Sequence, residues 1–355
     1  MRKQGRSPTQ SKFGSSTEKQ IMFIIQDYPA AVICCIVTML CWGSWANTQK
    51  LAAATWRFEL FYWDYVLGIL LFSLVLAFTL GSTGSGGRSF IADLSQASGK
   101  SLGSAIFGGI VFNAANILLG AAIAIAGMAV AFPVGIGLAL VIGVIVNYIA
   151  NPVGNIGLLS AGVALIVAAI LLNAFAYSRM SAAGKKASER GLLLAVAAGV
   201  LMGFFYKYVA ASMFRDFEVP EPGKLSPYTA VVIFSVGILL SNLVFNTILM
   251  RRPFVGLPVS FKSWFAGSFR DHITGILGGS IWCLGMSFSI IASGKAGPAI
   301  AYGLGQGATI IAALWGIFIW KEFRGAPKGT NAVLGWMLVL YLAGLGMLIY
   351  AGGKH

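Results

Sequence analysis

In a chain this apolar, the residues able to do chemistry are the polar ones that recur at helical spacing. Thr38, Trp42, Trp45 and Gln49 fall at i, i+4, i+7 and i+11, on one face of a helix. Gly109, Asn113, Asn116 and Gly120 repeat that spacing, and Tyr302, Gln306 and Thr309 repeat its first three positions. Amides and hydroxyls offer both donors and acceptors, while tryptophan and tyrosine faces cover apolar surface. The combination suits a neutral solute rich in hydroxyl or amide groups. The competing reading, that Asn, Gln and Thr only hold helices together, is weakened by three stripes in one chain. The candidate solute-binding residues are Trp42, Trp45, Asn113, Asn116, Lys207, Tyr302, Gln306 and Thr309.

Lys207 stands inside an apolar run, on a small-residue stripe with Gly199, Gly203 and Ala211. It could neutralise an anionic group or respond to a coupling proton; the alternative is a lysine that snorkels to the interface. Asp64, in Tyr62-Trp63-Asp64-Tyr65, lies about a turn inside its run and is the best-placed carboxylate for proton coupling, against an interfacial pairing with Lys50 or Arg57. Glu322 reads as a local partner of Lys321 or Arg324, and Glu59 and His272 read as loop residues without a role.

Catalytic readings fail on spacing. Gly99-Lys100-Ser101 ends like a phosphate-binding loop, but Leu94 occupies the leading glycine position and no strand precedes it. Gly81–Arg88 is Gly-rich with its basic residue misplaced, which reads as a flexible linker. No His, Cys and carboxylate cluster has metal-ligand spacing, so no enzyme activity, cofactor or metal is expected. Cys34, Cys35, Cys41 and Cys283 all fall in apolar runs, away from any disulfide framework.

The elements that must position these residues follow from composition. The chain of 355 residues is 57% hydrophobic and 10% charged, with mean hydropathy +0.82; ordinary soluble domains carry about 25% charged residues. Ten apolar runs of about twenty residues, each long enough to cross a hydrocarbon core of about 30 Å, lie near 29–51, 61–80, 103–125, 128–149, 156–177, 191–213, 227–250, 273–293, 297–320 and 331–351. In lipid the backbone must hydrogen-bond within itself, so these runs are helices. A polar basic tail, 1–28, precedes them.

The chain reads as one five-helix unit written twice, 29–178 and 191–351, joined by 179–190. Gly278–Phe323 is a helix pair hinged at Gly294-Lys295-Ala296-Gly297-Pro298 and carrying Gly303-x-Gly305-x-Gly307. A weaker copy opens with Gly108-Gly109, turns near Gly127 and carries Pro133 and Gly135-x-Gly137. The Gly-Gly pairs are 170 residues apart, and Gly68-Ile-Leu-Leu71 precedes Gly237-Ile-Leu-Leu240 by 169. Five spans is an odd number, so the second copy enters the membrane inverted, with a site expected at the repeat interface. The expected fold is an all-α membrane protein of ten transmembrane helices in two inverted five-helix repeats.

The net charge of +14 is spread over loops and the tail, the pattern of membrane topology rather than of nucleic-acid binding. Loops following odd-numbered spans hold thirteen Lys and Arg against six on the other side, which places both termini outside; five basic residues in the tail pull the other way.

Ten spans, a Gly-rich ninth span ending in Trp320-Lys321-Glu322-Phe323, and a tenth beginning near Gly335 resemble the drug/metabolite transporter superfamily. Within it, Tyr62-Trp63-Asp64-Tyr65 is similar to the stretch opening the second span of plant ureide permeases. Gly109–Asn116 and Gly278–Gly285 resemble their Gly/Asn-rich segments. The rhamnose–proton symporter and glucose/ribose uptake proteins are neighbouring groups. One departure is the short 178–190 connection, which lacks the long cytosolic loop with a Walker-like motif of plant ureide permeases and favours a bacterial sugar-permease-like relative.

The resemblance implies a multi-pass cell-membrane permease for a small polar solute, sugar or ureide-like, driven by proton symport through alternating access, with Asp64 as the coupling residue. An exporter of amino acids, metabolites or drugs on the same fold, and a non-transporting scaffold or sensor, are the other expectations. The expected partners are the solute, protons and the bilayer, with no nucleic acid; a monomer and a homodimer both fit.

Overall fold

A computed structural model describes residues 22–52, 56–84, 86–126, 128–180, 188–321 and 323–353. Most of the basic tail, much of the 179–190 connection, the turn at Gly127 and Glu322 lie outside the described residues. Among the described residues, ten helices are long and apolar enough to cross a membrane. They include α1 (Tyr28–Ser44), which runs on as a 3-10 turn (Trp45–Leu51), and α2 (Phe58–Phe78). The short helix α3 (Phe90–Gln96) precedes α4 (Gly99–Ala126), α5 (Met128–Ala150), α6 (Ile156–Met180), α7 (Glu189–Ser212) and α8 (Pro227–Arg251). After the short helix α9 (Phe261–Phe265) come α10 (Phe269–Ala296), a broken span made of α11 (Pro298–Gly305) and α12 (Ala308–Leu314), and α13 (Thr330–Gly352). The chain is an all-α, multi-pass membrane protein.

Local chemistry sets the ends. Asp27 caps α1 by accepting from the Ala30 N–H, Ser226 caps α8, and Ser268 with Asp271 forms a reciprocal capping box on α10. At the expected hinge, Gly297 takes φ +78°, a conformation that suits glycine, and Pro298 opens α11 with the missing N–H that a helix start tolerates. The ninth span is not continuous. It breaks at Gly305-Gln306-Gly307, where the Gly307 N–H donates to Leu304 O, and ends in a π-turn, Trp315–Ile319.

The repeat offset reappears in the packing. A Cβ on Gly109 would overlap Phe234 O and lie 2.8 Å from Ile238 N; a Cβ on Gly279 would overlap Tyr65 O and lie 2.8 Å from Ile69 N. In the same way Gly237 sits against Ile106 O and Gly68 against Ile276 O. Helices α4 and α8 are thus in backbone contact as α10 and α2 are, with partners exchanged at spacings of 169 and 170 residues. Small residues permit this approach in lipid, where van der Waals contact holds helices together.

Two loop expectations are corrected. Gly81–Arg88 is not a loose linker: Arg88 Nε pairs with Asp93 Oδ1 at 3.0 Å, and Arg88 Nη2 donates to Glu221 O and Lys224 O. Asp93 is buried and its other oxygen accepts from Ser226 N, which ties the loop to the start of α8. Glu59 and His272 are not loop residues either. Glu59 lies in the first turn of α2, paired with Arg57 at 2.5 Å, and His272 lies in α10. The ten spans alternate direction, so 79–98, 151–155 and 213–226 share a side with the described ends of the chain, here the terminal side. Segments 252–268 and 323–329 lie on the distal side.

Candidate functional site

A cavity of about 150 Å³ lies among α1, α4, α5, α7, α10 and the broken ninth span. Of the eight expected residues, Trp42, Trp45, Asn116, Gln306 and Thr309 line it, together with Phe112, Met202, Phe205 and Trp282. Trp42 stacks on Trp282 with centroids 5.8 Å apart and planes 10° from parallel, and its Nε1–H donates to Trp282 O at 3.2 Å. The ring fits because Gly285 and Gly305 flank it: a Cβ at Gly285 would lie 2.7 Å from Trp42 Cδ1, and one at Gly305 2.9 Å from Trp42 Cζ3. Phe112 also packs against Trp282, with centroids 4.4 Å apart and planes tilted by 34°. Phe112, Phe205 and Trp282 escaped the sequence reading because an aromatic in an apolar span looks the same whether it lines a cavity or fills a core.

The polar complement is small. Gln306 sits at the helix break and its carboxamide has no partner among the described residues. Asn116 donates to Tyr62 Oη at 3.2 Å, and its carbonyl oxygen has no partner among the described residues. Thr309 is committed, hydrogen-bonded to Tyr341 and within 3.1 Å of Gln306 O. Asn113 lies behind the wall: its Oδ1 accepts from Tyr62 Oη at 2.9 Å and its Nδ2 donates to Ser241 Oγ at 2.9 Å. It therefore positions Tyr62 and, through it, Asn116. The site presents one free carboxamide, Gln306, and the carbonyl oxygen of a second, Asn116, among stacked aromatic rings, chemistry for a small planar amide-bearing solute.

Tyr302 does not line the cavity. It is fully buried, with its hydroxyl 3.2 Å from Ala139 O and 3.1 Å from Met202 O, able to donate to one at a time. Tyr206 lies beside it at 5.4 Å and donates to Ser289 O at 3.0 Å; Phe205 adjoins both. This aromatic layer separates the cavity from a second one, of about 530 Å³, on the terminal side. Lys207, the residue directly after Tyr206 in α7, belongs to that second cavity and not to the tryptophan-lined one.

Asp64 lies in neither. It is 1% exposed, and its Oδ1 is 2.9 Å from His272 Nδ1 and accepts from Trp264 Nε1 at 3.1 Å. Trp56 packs edge-on against His272 at 5.1 Å. The cluster joins α2 to α10 and α9 near the distal side; neither Lys50 nor Arg57 takes part. His272 escaped the reading because its partner is 208 residues away.

A sequence profile described as ureide permease matches residues 61–190 and 185–351. The chain belongs to the ureide permease family. Ureide permease 1 of Arabidopsis thaliana is 23% identical over 390 residues, covering 94% of this chain and 100% of that one. Ureide permease 4 of the same plant is also 23% identical, with the same coverage, and ureide permease 2 is 22% identical. A solved crystal structure superposes with TM-score 0.60 at 17% identity, covering 93% of this chain and all of the other; at that identity the likeness shows the fold. The match takes in both halves of the chain and their junction despite the short connection, and it agrees with a non-enzymatic permease.

Proposed function

We propose that this ureide permease family member is a secondary transporter for small ureide-like solutes, driven by proton symport and working by alternating access between its two five-helix halves. The observation that carries the reading is the tryptophan-lined cavity, with the Gln306 carboxamide and the carbonyl oxygen of Asn116 left without partners among the described residues in its wall. A ureide places N–H donors next to carbonyl acceptors in one plane, and a carboxamide answers both at once. Trp42, Trp282 and Phe112 supply the faces on which such a plane stacks. The aromatic layer of Phe205, Tyr206 and Tyr302 closes the cavity toward the terminal side, as one gate of an alternating-access path requires. Asp64 with His272 is the proton-coupling group, because an intramembrane carboxylate paired with a histidine can hold one proton between them.

The test is uptake into proteoliposomes under an imposed inward proton gradient. The panel holds allantoin, uracil, rhamnose, glucose, ribose and several amino acids, each with and without a protonophore. Gradient-dependent accumulation of a ureide, lost with the protonophore and weakened in Gln306→Ala while that variant still reaches the membrane, is the expected result. Accumulation of a sugar or amino acid alone would overturn the ureide assignment. Exchange seen only with preloaded solute would overturn symport, and normal uptake by Gln306→Ala would overturn the site.

A further inference from the structure

The terminal-side cavity is larger than the tryptophan-lined one, and its wall has a different chemistry. At about 530 Å³ it falls within the range of roughly 300–1,000 Å³ common for small-molecule sites. Its origin is visible in the packing of α5 on α7. Gly199 seats against Gly135 and Leu138, and Gly203 against Ile142 and Gly143, so the two helices run side by side with glycine at each contact. One turn further toward the terminal side the glycines are replaced by Lys207 on α7 and Asn147 on α5, and the helices enclose the cavity instead of touching.

Both residues carry unused capacity. Lys207 is exposed and lines this space, and it forms no hydrogen bond or ion pair with the described residues. Asn147 is fully buried in the wall; its Nδ2 donates to Gly143 O at 2.8 Å, while its Oδ1 has no partner. A buried acceptor without a donor is costly to keep, so a donor brought by a ligand would relieve it.

The other charged groups around the cavity are occupied or cationic. Lys224 Nζ donates to Ala211 O at 2.6 Å, Glu221 Oε1 accepts from Arg215 N at 3.0 Å, and Lys295 pairs with Glu218 at 2.8 Å. Pro298 adds the first turn of α11, whose N-terminal end carries partial positive charge. Among the described residues lining the cavity, Lys207, Arg215 and Lys224 outnumber the one carboxylate, Glu221, and the residues that carry the free ammonium and the orphaned amide oxygen share its wall.

We infer that this cavity is a second solute station that takes a carboxylate bearing ureido or amide N–H groups, the Lys207 ammonium donating to the carboxylate and Asn147 Oδ1 accepting an N–H. It lies across the aromatic layer from the tryptophan-lined cavity, so a solute would occupy the two in turn. The inference rests on the transport reading above and narrows its substrate class to include anionic, open-chain ureides.

The experiment is isothermal titration of the full chain in lipid nanodiscs with two probes: ureidoacetate, an open-chain ureido acid, and hydantoin, its neutral ring-closed counterpart. In the wild type, ureidoacetate affinity falls as ionic strength rises, because ion pairing is screened, and hydantoin affinity does not. Lys207→Met weakens ureidoacetate by about tenfold, the loss of one charge-assisted hydrogen bond, and hydantoin by less than about twofold, while Lys207→Arg retains most of the binding. Gln306→Ala weakens hydantoin. Ureidoacetate binding unchanged in Lys207→Met, with hydantoin still sensitive to Gln306→Ala, would overturn the second station and leave the transport reading standing. If Lys207→Met fails to fold, a salt-independent ureidoacetate affinity in the wild type overturns the station by itself. A folded wild type that binds neither probe overturns both.

Discussion

Removing one hydroxyl, by Tyr62→Phe, tests whether the buried polar network holds the binding wall in place. The phenol donates to Asn113 Oδ1 at 2.9 Å and accepts from Asn116 Nδ2 at 3.2 Å. Phenylalanine keeps the ring stacks on Phe58 at 5.1 Å and on Tyr65 at 5.4 Å, so the packing loss is small. What remains is a buried Asn113 Oδ1 with no donor, which costs about 1–3 kcal/mol. The reverse change, Asn113→Leu, leaves the phenol O–H without its acceptor at a similar cost. Ser241 stays satisfied because its hydroxyl donates within α8 to Gly237 O or Ile238 O.

In the double variant neither orphan exists, so its destabilisation falls short of the sum of the two singles by at least ~1 kcal/mol. The assay is the free energy of unfolding of the purified protein in mixed micelles by denaturing-detergent titration, with all four members of the cycle. Asn116 loses the partner that fixes its amide, so Tyr62→Phe also raises KM for the transported solute by about 2–10-fold, with kcat changed less. Additive singles, agreeing with the double within about 0.5 kcal/mol, would refute the network. An unchanged KM would refute its role in placing Asn116.

Two further predictions concern the helix contacts and the ion pair. Gly109→Ala and Gly279→Ala each put a Cβ into partner-helix backbone and lower stability by comparable amounts, on the order of 1–3 kcal/mol. Gly346→Ala, with nothing within 4 Å, changes it by under about 0.5 kcal/mol; the same unfolding titration reads all three, and tolerance of Gly279→Ala would refute the close approach. Asp64→Asn abolishes gradient-driven accumulation while leaving solute exchange within about twofold of wild type, and His272→Gln shifts the pH profile of uptake; continued accumulation by Asp64→Asn under a proton gradient would remove the carboxylate from coupling.

The helices were legible because the bilayer admits few solutions. About twenty apolar residues in lipid form a helix and little else, and the observed ends lie within a few residues of the expected ones. The cavity was legible in part. Trp42, Trp45, Asn116 and Gln306 stand out as polar or amphipathic groups on periodic faces, and they meet in one wall. Gly285 and Gly305, singled out only as members of Gly-rich runs, turn out to flank the Trp42 ring. Asn113 was expected among the solute-binding residues and lies behind the wall, because periodicity cannot distinguish an amide facing a solute from one facing Tyr62.

The failures share a cause. Met202 lines the tryptophan-lined cavity and Lys207 the other; they are five residues apart on one helix, about 7.5 Å along its axis, and Tyr206 and Tyr302 fill the space between. Nothing in one dimension marks where such a layer falls. Likewise Asp64 and His272 each sit near a span end, and only the packing of α2 on α10 through Gly275 and Gly279 brings them together.

The sequence by itself determined the ten spans and the small-residue faces, because hydrophobic length and residue size are local properties that lipid reads directly. The tertiary structure decided which amides remained free, which were consumed as struts, and on which side of the aromatic layer each polar group came to lie. Those outcomes depend on distances between residues far apart in the chain, and they are set only when the helices pack.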